Sequence, residues 1–166
     1  MHFEIEELNP SDWPQMAAIY LDGIQTKLAT FQTEIPTWEQ WDKNHSPLCR
    51  LAAKNGETVL GWAALSPVSS RSVYSGVVEV SIYVGGQYKH QGVGLSLMTE
   101  LIRKSEEAGF WTLQSSIIRE NSASQALHAK CGFRTIGIRE KIGRMDNGKW
   151  HDTVLMERRS KKTGID

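Results

Sequence analysis

Hydrophobic and polar residues alternate along residues 78–84 with the period of two that a β-strand requires. The apolar side chains that would share one face are Val78, Val80, Ile82 and Val84. The opposite face would carry Glu79, Ser81 and Tyr83. The pattern therefore predicts a strand with one apolar face and one face that bears a carboxylate.

A glycine-rich stretch and a helix follow this strand. Apolar residues recur at helical spacing at Leu97, Met98, Leu101 and Ile102, and Gly109 stands where a helix commonly ends. The first amides of a helix have no intrahelical acceptor, and the helix dipole adds partial positive charge there. A strand that runs through a glycine-rich loop into a helix therefore predicts an anion-binding site.

The rest of the chain predicts further helices and strands. From the N-terminus the order is strand, two helices, three strands, helix, strand, helix and two strands. Asn55-Gly56 favours a type I′ hairpin turn, and residues 37–40 and 122–125 have the form of capping boxes. This order is typical of an α/β fold in which a twisted mixed sheet has helices on both faces.

Length and composition limit the functional classes. The chain has 166 residues, with 19 Lys plus Arg and 19 Asp plus Glu. Balanced charge predicts no nucleic-acid surface, and no apolar run is long enough for a membrane span. Cys49 and Cys131 form neither a CxxC pair nor a metal-ligand spacing, so we expect reduced thiols in a cytoplasmic protein without a metal. We expect one domain over residues 1–160 and a C-terminal tail over residues 161–166.

The glycine-rich loop reads Lys89-His90-Gln91-Gly92-Val93-Gly94. It has neither the G-x-G-x-x-G of a dinucleotide site nor the Gly-Lys-Ser/Thr of a Walker loop. It resembles the acyl-CoA pyrophosphate loop of the GNAT superfamily of N-acetyltransferases, Gln/Arg-x-x-Gly-x-Gly/Ala directly after a strand, with Lys89 in the first position. Asn121 and the segment 127–133 resemble the second signature of that superfamily, Asn-x-x-(A/S)-…-L-(Y/H)-x-K-x-G-F.

Four further segments resemble the phosphinothricin acetyltransferase branch of the superfamily. They are Thr30–Glu34, Arg71–Tyr74, Val78–Val84 and Gly148–Asp152. That branch acetylates the α-amine of small amino acids and analogues such as phosphinothricin, methionine sulfoximine and methionine sulfone. The resemblance covers nearly the whole chain. It implies a single-domain GNAT fold whose splayed central strands hold acyl-CoA, acetyl-CoA as cosubstrate, a small amine substrate and a homodimer.

The resemblance also implies roles for individual residues. Glu79 matches the glutamate that removes the proton of the amine, and His128 takes the place of a tyrosine that protonates the leaving thiolate. A strand amide near Tyr83 or Val84 would polarise the thioester carbonyl. The implied cofactor-binding residues are Ile82, Tyr83, Val84, Lys89, His90, Gln91, Gly92, Val93, Gly94, Leu95, Asn121 and Lys130. The implied substrate-binding residues are Phe31, Arg71, Tyr74 and His151, and the arginine suits a carboxylate or phosphinate.

Other interpretations stay open on the sequence alone. Glu79 could be a strand carboxylate paired with a lysine, His128 a helix histidine without catalysis, and Arg71 an exposed surface residue. The alternative functions are acetylation of a protein N-terminus or a polyamine, and a CoA-binding sensor that has lost catalysis. A polyamine enzyme requires an acidic pocket, which the Arg71 loop argues against, and the glutamate argues against a sensor.

Overall fold

The computed structural model describes the whole chain, residues 1–166, and the order of its helices and strands confirms the predicted order. The strands are β1 (Glu4–Glu7), β2 (Leu51–Asn55), β3 (Thr58–Pro67), β4 (Val77–Val84), β5 (Thr112–Ile118), β6 (Arg134–Arg144) and β7 (Trp150–Arg159). The α-helices are α1 (Trp13–Gln25), α2 (Trp38–Asn44), α3 (Val93–Glu107) and α4 (Ser122–Lys130).

One mixed sheet carries all the strands in the order β1-β2-β3-β4-β5-β7-β6. The only parallel neighbours are β4 and β5, because α3 forms the crossover between them. These two strands pair only where Val77–Glu79 faces Thr112–Gln114. Beyond Glu79 they separate, so the sheet opens in its middle as the resemblance implies.

Two apolar clusters hold the helices against the sheet. One lies under α3 and includes Val78, Leu97, Met98, Leu101 and Leu113. The other lies under α1 and α2 and includes Met16, Trp41 and Trp62, with Tyr83 packed against it. β4 contacts both clusters with alternate side chains, which confirms its predicted alternation. Each fully buried leucine contributes about 1.5–3 kcal/mol, so the apolar stripe of α3 fixes the helix and the loop that begins it.

The hairpin between β2 and β3 differs from the sequence prediction. Asn55 pairs with Thr58, so the two-residue loop is Gly56-Glu57. Gly56, the first loop residue, has a φ of +59°, whereas Glu57, the second, has no positive φ, so the loop fits a type II′ turn and not type I′. A register shift between Ala53 and Lys54 shortens the loop to two residues and leaves Asn55 paired at the end of β2.

The N-cap of α4 also differs from the prediction. Asn121, and not Ser122, caps the helix, since its side chain accepts a hydrogen bond from the Ser124 amide at 3.2 Å. The side chain of Gln125 therefore donates to the Arg119 carbonyl at 2.8 Å instead of completing a capping box. The box predicted at Thr37 and Gln40 is confirmed, with both reciprocal bonds formed.

The last residues follow β7 without further helix or strand. Arg159 donates hydrogen bonds to the carbonyls of Thr163, at 3.1 Å, and Gly164, so this segment lies against the end of β7. The helices of the chain are too short or too polar to cross a membrane.

Candidate active site

A cavity of about 1550 Å³ opens where β4 and β5 separate. Its walls come from the two separated strands, the start of α3, one side of α4 and the segment between α1 and α2. We call the part lined by Lys89, Gly92, Gly94 and Lys130 the helix end. We call the part lined by Phe31, Glu79, Ile118 and Thr153 the Glu79 end.

The helix end has the geometry of an anion site. Gly92 is the N-cap of α3 and has a φ of +83°, and His90 has a φ of +61°. The first backbone bond of the helix runs from the Ser96 amide to the Gly92 carbonyl at 3.0 Å, which leaves the amides of residues 93–95 without intrahelical acceptors. Free amides, the helix dipole and left-handed backbone turns together favour a phosphate group.

The predicted loop residues lie at this end with one exception. Residues that line the cavity there are Lys89, His90, Gly92, Val93, Gly94 and Leu95. Gln91 does not line it, because its side chain donates to the carbonyl of Gln87 at 3.0 Å.

The separated strands form the middle of the cavity. Residues 80–84 of β4 and 115–118 of β5 line it, and the two segments do not pair with each other. Facing strand edges of this kind can accept an extended chain through backbone hydrogen bonds. The ring of Tyr83 stacks on Tyr20 at 4.9 Å and on Trp62 at 5.0 Å, and burial raises the pKa of its hydroxyl. The Tyr83 side chain is therefore a packing element, and its backbone is the part suited to a ligand.

Glu79 stands where the two strands separate. It is the last residue of β4 that pairs with β5, and its partner there is Gln114. Burial raises the pKa of the Glu79 carboxyl, while a hydrogen bond with Gln114 and the charge of Arg139 act in the opposite direction. A half-buried carboxylate with a raised pKa in a cavity has the properties of a general base.

His128 lies in the cavity wall with both ring nitrogens paired. Nδ1 is 2.7 Å from the carbonyl of Ser124, so Nδ1–H donates there, and Nε2 accepts from the hydroxyl of Ser115 at 2.8 Å. Burial lowers the pKa of the imidazole, which keeps it neutral. The arrangement connects a neutral His128 to a serine that also lines the cavity.

Asn121 has a structural role at this site. Besides capping α4, its side-chain Nδ2 donates to the carbonyl of Leu28 at 3.2 Å. This bond ties the segment between α1 and α2 to the start of α4, and both residues line the cavity. Lys130, at the other end of α4, is exposed and lines the cavity.

We predict that Asn121→Ala lowers the free energy of unfolding by about 0.5–2 kcal/mol, since the N-cap bond is lost. Asn121→Asp keeps an oxygen that can cap α4 but removes the donor to Leu28, so it should retain most of the stability. Urea unfolding of both variants measures the difference. Equal losses in the two variants would show that the cap contributes nothing at this position.

The predicted substrate residues are only partly brought together. Phe31 lines the cavity, and its ring packs so closely on Gly143 that a Cβ there would lie 2.5 Å from it. His151 is buried behind Phe31, with ring centroids 6.3 Å apart, and its Nδ1 lies 3.1 Å from Glu120 Oε2. Arg71 and Tyr74 lie outside the cavity wall of their own chain, where the guanidinium stacks on the exposed ring at 5.4 Å.

Several lining residues were missed by the sequence prediction. They are Trp41 of α2, His45 directly after α2, Ser115 and Ser116 of β5, and Thr153 of β7. The alternation of β5 and β7 could have assigned the last three to faces, but the neighbouring strands had to be known first. No group of three or more His, Cys, Asp or Glu side chains is placed to hold a metal ion.

Comparisons with known proteins agree with this geometry. The sequence matches the acetyltransferase (GNAT) family over residues 5–133. It is 32% identical to phosphinothricin N-acetyltransferase of Alcaligenes faecalis, over 93% of this chain and 81% of that protein. It is 26% identical to L-methionine sulfoximine/L-methionine sulfone acetyltransferase of Pseudomonas aeruginosa, over 95% of this chain and 94% of that protein.

A solved structure extends the likeness to the fold. The chain superposes on a GNAT phosphinothricin acetyltransferase from Sinorhizobium meliloti, in complex with AcCoA, with a TM-score of 0.89. The identity is 24%, and the match covers 100% of this chain and 92% of that one.

Proposed function

The chain belongs to the GNAT acetyltransferase family and is an acetyl-CoA-dependent N-acetyltransferase, and on that premise we propose that its acceptor is the α-amine of a small amino acid or analogue. The acceptor class is supported by relatives whose names specify phosphinothricin and methionine sulfoximine or sulfone. The observation that carries the proposal is the position of Glu79, a carboxylate of raised pKa at the point where the cavity divides the sheet.

The chain's own groups fit acetyl-CoA. The free amides at the start of α3, with Lys89 and Lys130 near them, suit the pyrophosphate. The unpaired edges of β4 and β5 suit the amide-bearing pantetheine arm, with Ile82 and Val84 as the proposed backbone contacts. When bound, the cosubstrate supplies an acetyl group activated as a thioester.

Glu79 is the proposed general base. An α-ammonium group is mostly protonated at neutral pH and has no free electron pair for attack. Glu79 accepts one proton from this group, directly or through water, and the amine nitrogen then forms a bond to the thioester carbon. The carbon–sulfur bond breaks, and the sulfur leaves as a thiolate that takes up the second proton, which the nitrogen releases as the amide forms. The backbone amide of Tyr83 or Val84 is the proposed donor to the carbonyl oxygen.

The proposed role of His128 is to help protonate the leaving thiolate. Only the imidazolium form of His128 can act as the acid: its Nε2–H would pass to Ser115 Oγ while the Ser115 hydroxyl gives its own proton to the thiolate, and the ring would end neutral. Burial lowers the pKa of this imidazole, so the imidazolium is the minor form. A thiolate is a good leaving group already, because the pKa of a thiol is only about 8.5. We therefore assign His128 a smaller contribution than Glu79.

The remaining predicted contacts stay part of the proposal. Phe31 supplies an apolar wall for the acceptor, and His151 supports that ring from behind. Arg71 and Tyr74 remain proposed substrate contacts.

A homodimer is supported by exposed apolar residues of the edge strand β6 and its neighbour, namely Ile136, Ile138, Ile142 and Trp150. Two unpaired cysteines support a cytoplasmic location.

A substrate panel tests the proposal. Thiol release from acetyl-CoA would be measured with phosphinothricin, methionine sulfone, methionine sulfoximine, spermidine and a peptide with a free N-terminus. We expect the amino acid analogues to give the highest kcat/KM. A higher kcat/KM for spermidine or for the peptide would show that the acceptor is a polyamine or a protein N-terminus instead. Tight binding of acetyl-CoA without acetylation of any amine would favour a CoA-binding sensor.

A further inference from the structure

The strand register places an arginine on the same face of the sheet as Glu79. Glu79 lies opposite Gln114, and Gln114 shares its face of β5 with Ile118, four residues further along. Ile118 lies opposite Thr153 of β7, which in turn lies opposite Arg139 of β6. Because residues directly opposite each other share a face, Arg139 and Thr153 belong to the Glu79 side of the sheet.

The hydroxyl of Thr153 is a buried polar group without a partner. The residue is 4% exposed, it lines the cavity at the Glu79 end, and its Oγ1 makes no hydrogen bond. Buried polar groups in native proteins are nearly always paired, so an orphaned hydroxyl in a cavity wall points to a ligand. The Oγ1 atom itself is closed to solvent, so the Thr153 side chain would have to turn toward the cavity for its hydroxyl to donate to an oxyanion there.

Arg139 is the only arginine of the chain with no partner. Every other arginine has a hydrogen bond, an ion pair or an aromatic ring beside it. Arg139 is exposed and is not part of the cavity wall, but its charge reaches Glu79 and lowers the pKa of that carboxyl. No ion pair joins the two groups, so the guanidinium is available for another anion on the Glu79 side of the sheet.

An acceptor with a carboxylate would need such a cation at the Glu79 end. The charged residues of the cavity wall outside the helix end are acidic, namely Asp22, Glu34 and Glu79, and burial lowers the pKa of His45. The lysines of the wall, Lys89 and Lys130, lie at the helix end. An amino acid that presents its amine to Glu79 would therefore bring its carboxylate into an acidic region unless Arg139 balances it.

We propose that Arg139 and Thr153 form the subsite that binds the carboxylate of the acceptor next to the amine held by Glu79. This assignment rests on the proposed function and specifies how an amino acid is distinguished from a simple amine. Arginine offers a planar pair of donors to a carboxylate, which lysine does not reproduce.

The test compares an accepted amino acid with its neutral amide. We expect the wild type to prefer the acid, and Arg139→Met to lower kcat/KM for the acid roughly 10- to 150-fold with little change for the amide. Arg139→Lys should recover only part of the loss. Arg134→Met is the matched control, since that arginine lies on the same strand and pairs with Glu157 on the surface.

Thr153→Val adds an independent measurement, because valine keeps the shape of threonine and removes only the hydroxyl. We expect kcat/KM for the acid to fall roughly 2- to 10-fold and the thermal midpoint to hold or rise, since an unpaired buried hydroxyl is removed.

Three outcomes would overturn the subsite. The first is that the wild type acetylates acid and amide equally. The second is that the Arg139→Met enzyme keeps the full preference for the acid. The third is that Arg71→Met abolishes that preference while Arg139→Met leaves it intact. In each of these the amine is still acetylated, so the proposed acetyltransferase reaction stands. Acetylation of neither compound, nor of any other amine, would overturn the proposed function and the subsite with it.

Discussion

Glu79→Gln should lower kcat at neutral pH by roughly 100- to 10,000-fold, the contribution usual for a positioned general base. Glutamine keeps the size of the side chain and can still bond to Gln114, but it cannot accept the proton of the ammonium group. The affinity for acetyl-CoA should stay close to that of the wild type, because the helix end of the cavity is unchanged. Activity should recover in part at alkaline pH, where more of the acceptor is already deprotonated.

The same substitution should not weaken the fold. Burial raises the pKa of Glu79 above that of the unfolded chain, so the folded protein binds more protons between those two pKa values. The contribution of this group to stability is therefore greatest below the unfolded pKa and is lost as pH rises through the folded pKa. Ionised Glu79 thus opposes folding at neutral pH, and Glu79→Gln should leave the thermal midpoint equal or higher there. The difference should shrink in acid.

A matched control distinguishes the loss of the catalytic base from the loss of any negative charge in the cavity wall. Glu34 also lines the cavity but is exposed, and no structural feature gives it the position of Glu79. Glu34→Gln should therefore keep most of kcat. If Glu79→Gln kept the wild-type kcat from neutral to alkaline pH, or if both substitutions cost the same, Glu79 would not be the base.

Local sequence patterns were sufficient for the framework of this site. The alternation of β4 assigned Glu79 and Tyr83 to one face, and the glycine-rich stretch located the start of α3. Both features are set by neighbours in the sequence, namely the period of a strand and the φ angles that glycine permits. The capping residue of α4 was displaced by one position, because Asn121 and Ser122 are equally good caps by type and only the bond to Ser124 decides between them.

The Glu79 end was harder to predict, because it depends on contacts between distant strands. Thr153 reaches the cavity only because β7, and not β6, pairs with β5. The position of Arg139 depends on a register shift between Arg139 and Gly143, which no local sequence pattern predicts. Arg71 is the reverse case, since the resemblance implied that it binds substrate, whereas in its own chain the side chain lies against Tyr74 on the surface.

The second large effect is expected at the helix end, and Gly94 is the residue that tests it. Gly92 is less suitable, because its φ of +83° would strain any other residue there. A substitution would then lower both stability and affinity, and the two effects could not be separated. A Cβ at Gly94 would lie 3.3 Å from Leu127 Cδ2, the mobile end of a side chain, and 3.7 Å from Val84 Cγ2, so a side chain is tolerated there with a small adjustment. Gly94 nevertheless lines the cavity beside the free amides of α3.

Gly94→Val should therefore weaken acetyl-CoA binding by roughly 10- to 150-fold for each charge-assisted hydrogen bond that its branched side chain prevents. The thermal midpoint without ligand should change little, since valine is no worse than glycine in a helix. Calorimetric titration gives the affinity, and the smaller rise in thermal midpoint on adding acetyl-CoA gives an independent value. Gly137→Val, outside the cavity and with open space around it, is the control and should bind normally. Unchanged affinity in a folded Gly94→Val protein would remove the start of α3 from the cofactor site, because a pyrophosphate close to those amides cannot avoid the new methyl groups.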